Sequence, residues 1–248
     1  VNVTSTLEIT EKAAAVDGTS GNSKLAGMAV SSASKGKNAD LKGKSGGVGG
    51  MVRAAGPAGP TVQIVSVLNS KTLSTRPTFA WITSKPAESS SLELLDEEGE
   101  SVWTATTKDT VAALPEDHAP LKPGTEYTLT VKSIIDGDEA ETSSTFVVAD
   151  EKESKEVTSA VDEVKKQYSE GDDVIIQHML LSQYYTQKEL YMDAISELNK
   201  LVALDPYDYQ SHIDLSAIYE KIGDKADMKT ELETAETIKH KLGEDTDF

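Results

Sequence analysis

The chain has 248 residues, 38% of them hydrophobic and none cysteine, which leaves room for two small domains with real cores but excludes thiolate catalysis, thiolate zinc sites and disulfides. Its formal charge of −18 is unevenly placed: residues 1–60 hold seven Lys/Arg against four Asp/Glu, a balance of +3, whereas residues 61–248 hold 17 against 38, a balance of −21. So acidic a body repels nucleic-acid phosphates and anionic lipid, and no apolar run approaches the roughly 20 residues that cross a bilayer, so neither nucleic acid nor membrane insertion is expected.

The first segment opens on strict alternation. Val1, Val3, Ser5, Leu7 and Ile9 interleave with Asn2, Thr4, Thr6, Glu8 and Thr10, the period of a strand with one apolar face. Such a strand needs a sheet: it either pairs within its own β domain or adds to an exposed sheet edge of another copy, the donor-strand mode by which some pili polymerise. Applied head to tail, donation builds an open filament. Val1, Val3, Leu7 and Ile9 are the candidate subunit-contact residues. Residues 1–60 also hold 11 of the 17 glycines, with runs such as Lys42-Gly43-Lys44-Ser45-Gly46-Gly47 and a Gly56-Pro57-Ala58-Gly59-Pro60 boundary. That composition predicts a flexible, weakly basic arm, drawn to the acidic body of a neighbour and screened by salt. Gly43-Lys44-Ser45 matches the end of a phosphate-binding loop, but Asn38 stands where its first glycine belongs, so no nucleotide cofactor is expected. The start at Val1 leads us to expect that a signal peptide has been removed and that the protein is extracellular or periplasmic.

Residues 61–150 carry short alternating runs: Thr61 to Leu68, Thr78 to Ile82, Ser91 to Leu95, Ser101 to Thr106, Thr125 to Ile135 and Glu141 to Val148. Turn signals at Glu98-Gly99 and Asp136-Gly137-Asp138 predict antiparallel hairpins. Trp81 and Trp103 lie within the alternation and are expected in the core. The acidic turns lack the ligand order of a calcium loop, so no metal is expected. The phrase Leu121-Lys122-Pro123-Gly124-Thr125-Glu126-Tyr127-Thr128-Leu129-Thr130-Val131 resembles the penultimate strand of fibronectin type III and related immunoglobulin-like domains, and Arg76-Pro77-Thr78-Phe79-Ala80-Trp81 an early core strand of the same modules. The resemblance implies that Tyr127 hydrogen-bonds back to the loop before it.

Helical patterning begins at Lys155 to Tyr168 and then becomes periodic. His178-x2-Leu181-Ser182-x2-Tyr185, followed by Ala194-x3-Leu198 and Pro206, recurs 34 residues later as His212-x2-Leu215-Ser216-x2-Tyr219, followed by Met228-x3-Leu232 and Ala235, with Gly223-Asp224 at the expected turn. This resembles the tetratricopeptide repeat, whose helical hairpins stack to present a groove to other proteins. Departures are the histidines in the large aromatic slots, Leu201 and Met228 for alanine, and the missing second proline. The resemblance implies a groove lined by Ile176, Met179, Gln183, Gln187, Gln210, Ile213 and Ala217, with little basic charge and so an apolar or polar peptide surface as ligand. His118, His178, His212 and His240 have no metal-ligand spacing and are expected to pack. The glycine-rich stretch is similar to the tails of FecR-type periplasmic domains, which implies only an envelope location.

The expected fold class is multidomain, β then α: a glycine-rich arm (1–60), an antiparallel immunoglobulin-like sandwich (61–150) and a tetratricopeptide-like helical hairpin domain (151–248). The expected function is non-enzymatic and structural, a self-assembling subunit whose partners are other copies of itself, with no cofactor. Alternatives are an adaptor whose groove binds another envelope protein and a carbohydrate-binding accessory protein.

Overall fold

A computed structural model describes residues 59–169 and 173–243. Among these residues eight strands come first: β1 (Val62–Ile64), β2 (Ser70–Thr72), β3 (Thr78–Thr83), β4 (Ser89–Leu95), β5 (Ser101–Thr107), β6 (Val111–Ala113), β7 (Glu126–Ile135) and β8 (Asp138–Val148). They form a three-stranded sheet, β1-β3-β6, and a five-stranded sheet, β2-β8-β7-β4-β5. In β7 the alternation of the sequence becomes the alternation of the pleat, with Tyr127, Leu129, Val131, Ser133 and Ile135 buried and their neighbours less so. Asp136 and Gly137, both at positive φ (55° and 83°), close the β7–β8 hairpin in the backbone shape that fits strand twist.

Both sheets feed one core. Phe79 and Trp81 of the smaller sheet are fully buried beside Leu94, Leu129, Val131 and Phe146 of the larger, and the Phe79 ring lies 5.7 Å from Trp103 and 5.9 Å from Phe146. The polar edge of Trp81 is satisfied, its Nε1 donating to Ser90 Oγ at 3.2 Å. Tyr127 meets its sequence expectation, its hydroxyl accepting from Lys122 N in the preceding loop at 2.9 Å.

The fold class expected from the sequence is corrected. The sheets are small, and the larger is mixed because β2 runs parallel to β8, Ser70 opposite Phe146 and Thr72 opposite Val148; this is not the purely antiparallel sandwich expected. The physical cause is local. The run Thr61 to Leu68 is not one strand, because the chain turns at Val67 (φ 48°) and Asn69 (φ 40°) and crosses from β3's partner to the edge of β8. A β-branched residue at positive φ is costly, so surrounding contacts must hold it there. The expected hairpin domain is instead a run of five helices: α1 (Glu151–Gln167), α2 (Asp173–Gln187), α3 (Tyr191–Leu204), α4 (Tyr209–Ile222) and α5 (Lys225–Leu242). Among the described residues α1 follows directly on β8, which ends at Val148, and Asp150 caps α1 by accepting from Glu153 N. The third part of the expected fold, the glycine-rich arm with Val1, Val3, Leu7 and Ile9, lies outside the described residues.

The helices bury a second core of Val157, Val161, Leu181, Tyr185, Ala194, Leu198, Leu215 and Ile218, among others. Gly223 ends α4 in the left-handed conformation (φ 86°) and Asp224 caps α5 by accepting from Asp227 N, as the turn signal predicts. The segment around β2 joins the two cores. Leu68 packs on both, Lys71 N donates to Glu189 O at 2.8 Å, Asn69 Nδ2 to Ile222 O at 2.8 Å and Gln63 Nε2 to Asp224 Oδ2 at 2.7 Å. Glu189 and Gly223 are 34 residues apart, so this seam grips two equivalent inter-helix turns.

Candidate functional site

The helical run carries a repeated polar pair. His178 Nδ1 of α2 lies 2.5 Å from Glu197 Oε2 of α3, and His212 Nδ1 of α4 lies 2.5 Å from Glu231 Oε2 of α5, each pair 19 residues apart in sequence. In each, an imidazole on one helix bridges to a carboxylate on the next, with both side chains largely withdrawn from water. The geometry orients the ring and satisfies the carboxylate. Lys200 adds a second contact to Glu197 at 3.0 Å. The sequence reading placed the histidines in packing roles and missed both acids; their recurrence at the same 34-residue period was the available signal. Glu163 of α1 stands one further period earlier, where the residue preceding it by the pair spacing is Ser144 of β8, and its Oε2 is buried without a hydrogen-bond partner.

Beside the first pair lies an acidic group that titrates near neutrality. Burial raises the Asp193 carboxyl to about 6, and the adjacent Glu197 carboxylate adds to the effect, against smaller opposing contributions from its own backbone N–H, Lys165 and Lys200. Asp193 and Glu197 of α3, with Asp162 of α1, also repel a phenolate at Tyr185 of α2, which burial already pushes up. In the next period Asp227 is raised by burial, then by Asp224 and Glu231. Among the described residues no three His, Asp or Glu side chains are placed to hold a metal ion. His118 is engaged at both nitrogens, with the carbonyls of Ala119 and Val102.

A cleft of about 260 Å³ opens at the seam between sheet and helices, lined by Asn69, Lys71, Glu126, Thr145, Glu189 and Lys221 among others. Its Lys71 ammonium is already paired. Burial alone lowers the Lys71 ammonium, but hydrogen bonds and charge from Glu153 and Glu189 outweigh it and leave the group above its ordinary value. Lys221 lies 6.0 Å from the centre of the Tyr191 ring.

The groove residues named from the sequence fall on two helices. Ile176, Met179, Gln183 and Gln187 lie on an exposed face of α2, with Ile176 37% and Met179 44% exposed. On α4, Gln210 and Ala217 are exposed and Ile213 is half-buried, and Gln210 Nε2 donates to Asp214 Oδ1 at 2.9 Å. Each stripe belongs to a helix packed on α3. Ile175, 45% exposed, joins the apolar surface at the start of α2.

The sequence profile of a domain of unknown function, DUF928, matches residues 57–231. The chain belongs to the DUF928 family. The matched span runs from just before β1 into α5, so the family unit includes the sheets, the seam and the ion-paired helices together, and it leaves residues 1–56 outside. Nothing among the curated proteins matches the chain. Solved structures that resemble parts of it include CopC from Methylosinus trichosporium OB3b, at 17% identity and a TM-score of 0.31 over 38% of this chain and 96% of that one. Others are an engineered protein, at 19% identity and 0.32 over 39% and 21%, and b-glucuronidase from Ruminococcus gnavus with D-glucuronic acid, at 12% identity and 0.25 over 68% and 41%. The chain thus spans less than half the length of the engineered protein and of the glucuronidase. Likenesses at these scores establish neither a shared fold nor a shared activity.

Proposed function

We propose that this DUF928 protein is a non-enzymatic structural subunit, extracellular or periplasmic, whose copies assemble through the N-terminal arm of one engaging the body of the next. The division of charge carries the reading: +3 over residues 1–60 and −21 over the rest, with Val1, Val3, Leu7 and Ile9 supplying an apolar stripe at the tip of the arm. Attraction between unlike segments steers such an encounter, and apolar burial then holds it. The bonds from Gln63, Asn69 and Lys71 to the helical turns support a body that offers its acidic surface as one piece. Light scattering and negative-stain electron microscopy across a salt series test the idea. The full chain is expected to form oligomers or filaments that loosen with salt, and the chain without Val1–Thr10 to stay monomeric. Assembly that survives the deletion refutes the arm's role.

The exposure of Ile176 and Met179 on α2 favours a second reading, an adaptor whose helical face takes an apolar or uncharged peptide segment of another envelope protein. The resemblance to tetratricopeptide repeats supports it. A full-length chain that is monomeric at every salt concentration, and that loses a captured partner on Met179→Asp, decides for this reading.

A further inference from the structure

Among the described residues four strands lie at sheet edges, and three of them are protected. β1 and β6 bound the smaller sheet and are three residues each, too short to template another strand. β2 bounds the larger sheet at the seam, where Lys71 N is already bonded to Glu189 O. The fourth, β5, is seven residues long, Ser-Val-Trp-Thr-Ala-Thr-Thr, with no charge and no proline. Natural edge strands are usually blunted by lysine, proline, bulges or a covering element. Here protection is confined to one end. A register shift between Leu94 and Leu95 disturbs the pairing opposite Ser101 and Val102, and the His118 ring meets the Val102 carbonyl at 2.9 Å. From Trp103 to Thr107 β5 is paired to β4 alone among the described residues, and alternate backbone groups of an edge strand point outward unpaired.

The side chains of this edge define what fits it. Trp103 is buried and Ala105 packs on the core, while Thr104 and Thr106 are exposed. An added strand must therefore alternate, apolar toward the core rim and polar toward water, over about the same length. Val1–Thr10 has that pattern. All seven basic residues of the arm follow this segment, from Lys12 to Arg53, and the turn leading into β5 is Asp96-Glu97-Glu98-Gly99-Glu100, so donor tether and acceptor entry have opposite charge.

We propose that the free edge of β5 is the acceptor for residues Val1–Thr10 of another copy of this chain, which adds as a sixth strand to the larger sheet. This rests on the self-assembly reading above and specifies its contact. The chain has no cysteine, so pairs of introduced thiols report contact without interference. Full-length Thr4→Cys or Thr6→Cys protein is mixed with full-length Thr104→Cys or Thr106→Cys protein under mild oxidation, and the mixed disulfide is identified by mass spectrometry. Glu236→Cys, at an exposed position on α5, serves as the control acceptor. Cross-strand neighbours sit within disulfide reach, and the high local concentration in an assembled pair should raise the arm-to-β5 product at least about tenfold over the arm-to-α5 product. That excess supports the proposal. If the chain assembles by light scattering but the β5 product does not exceed the control, the acceptor is overturned while self-assembly stands. A double variant, Thr6→Cys with Thr104→Cys, that closes only within a monomer overturns the second copy as donor. A chain that neither assembles nor cross-links overturns both readings.

Discussion

Replacing Asp193 by asparagine should stabilise the protein at neutral pH, and the size of the effect follows from its surroundings. Burial, with Glu197 beside it on α3, raises this carboxyl from 3.8 to about 6. Below pH 3.8 the folded and unfolded chains both hold the proton and the site costs nothing. Between pH 3.8 and about 6 the unfolded chain releases the proton first, so stability falls as pH rises, and above that the penalty is constant. A shift of about 2 units corresponds to ~3 kcal/mol if the group were wholly shielded. Asp193 keeps partial solvent contact, which roughly halves the figure, and its place in the first turn of α3 returns about 0.5 kcal/mol through the helix dipole. The net gain for Asp193→Asn at pH 7.5 is therefore on the order of 1 kcal/mol. Lys165 of α1, Lys200 of α3, and the Asp162 and Glu197 carboxylates are present in both proteins, so the difference between them isolates the one titration. Urea unfolding of both chains at pH 4, 5, 6 and 7.5 is the assay. The stability difference should grow in favour of the variant up to pH 6 and then level; a pH-independent difference, or a variant less stable at pH 7.5, would refute the account.

Phe79→Ala removes a fully buried ring that touches Trp103 and Phe146 and should cost about 3–5 kcal/mol in urea unfolding followed by tryptophan fluorescence; a loss under ~1 kcal/mol would mean the two sheets do not share that core. Asn69→Ala deletes the bond to Ile222 O and places alanine at φ 40°, so a loss of about 1–3 kcal/mol is expected. Hydrogen exchange should quicken at the end of α4, and unchanged exchange there would dismiss the seam as a brace. A double-mutant cycle on His212 and Glu231, using alanine and glutamine, should return a coupling of about 1 kcal/mol or more, because removing either partner strands the other; additive effects would reduce the 2.5 Å pair to a bystander. Association of the full chain should weaken between low salt and about 0.5 M, where the screening length falls below the size of a side chain; salt-insensitive association would remove charge from the assembly reading.

The seam gives the fold a consequence for its own stability. Among the described residues the helical run has five helices, and an array of helical pairs that short is marginal alone. Leu68 packs on its core, and the chain at β2 is tied to two of its turns. The positive φ at Val67 and Asn69 is the backbone conformation that lets one short segment reach both the edge of β8 and the turns at Glu189 and Gly223.

Local pattern was enough to place most elements. Alternation through Tyr127, Leu129 and Val131 marked β7 because one face of that strand is buried, and Gly223-Asp224 marked the α4–α5 turn because few residues adopt a left-handed cap or seal a helix start. The 34-residue period marked His178 and His212, though not what they bind. Groove residues such as Met179 were named from the repeat resemblance, and they fall on α2 and α4. What sequence by itself determined, then, is whatever repeats with the period of the backbone. Tertiary structure decided the pairings between distant residues. β2 runs parallel to β8, Asn69 reaches Ile222 across 153 positions, and Glu197 and Glu231 meet their histidines from neighbouring helices. Such contacts leave no local period, because their partners are set by packing in space and not by separation along the chain.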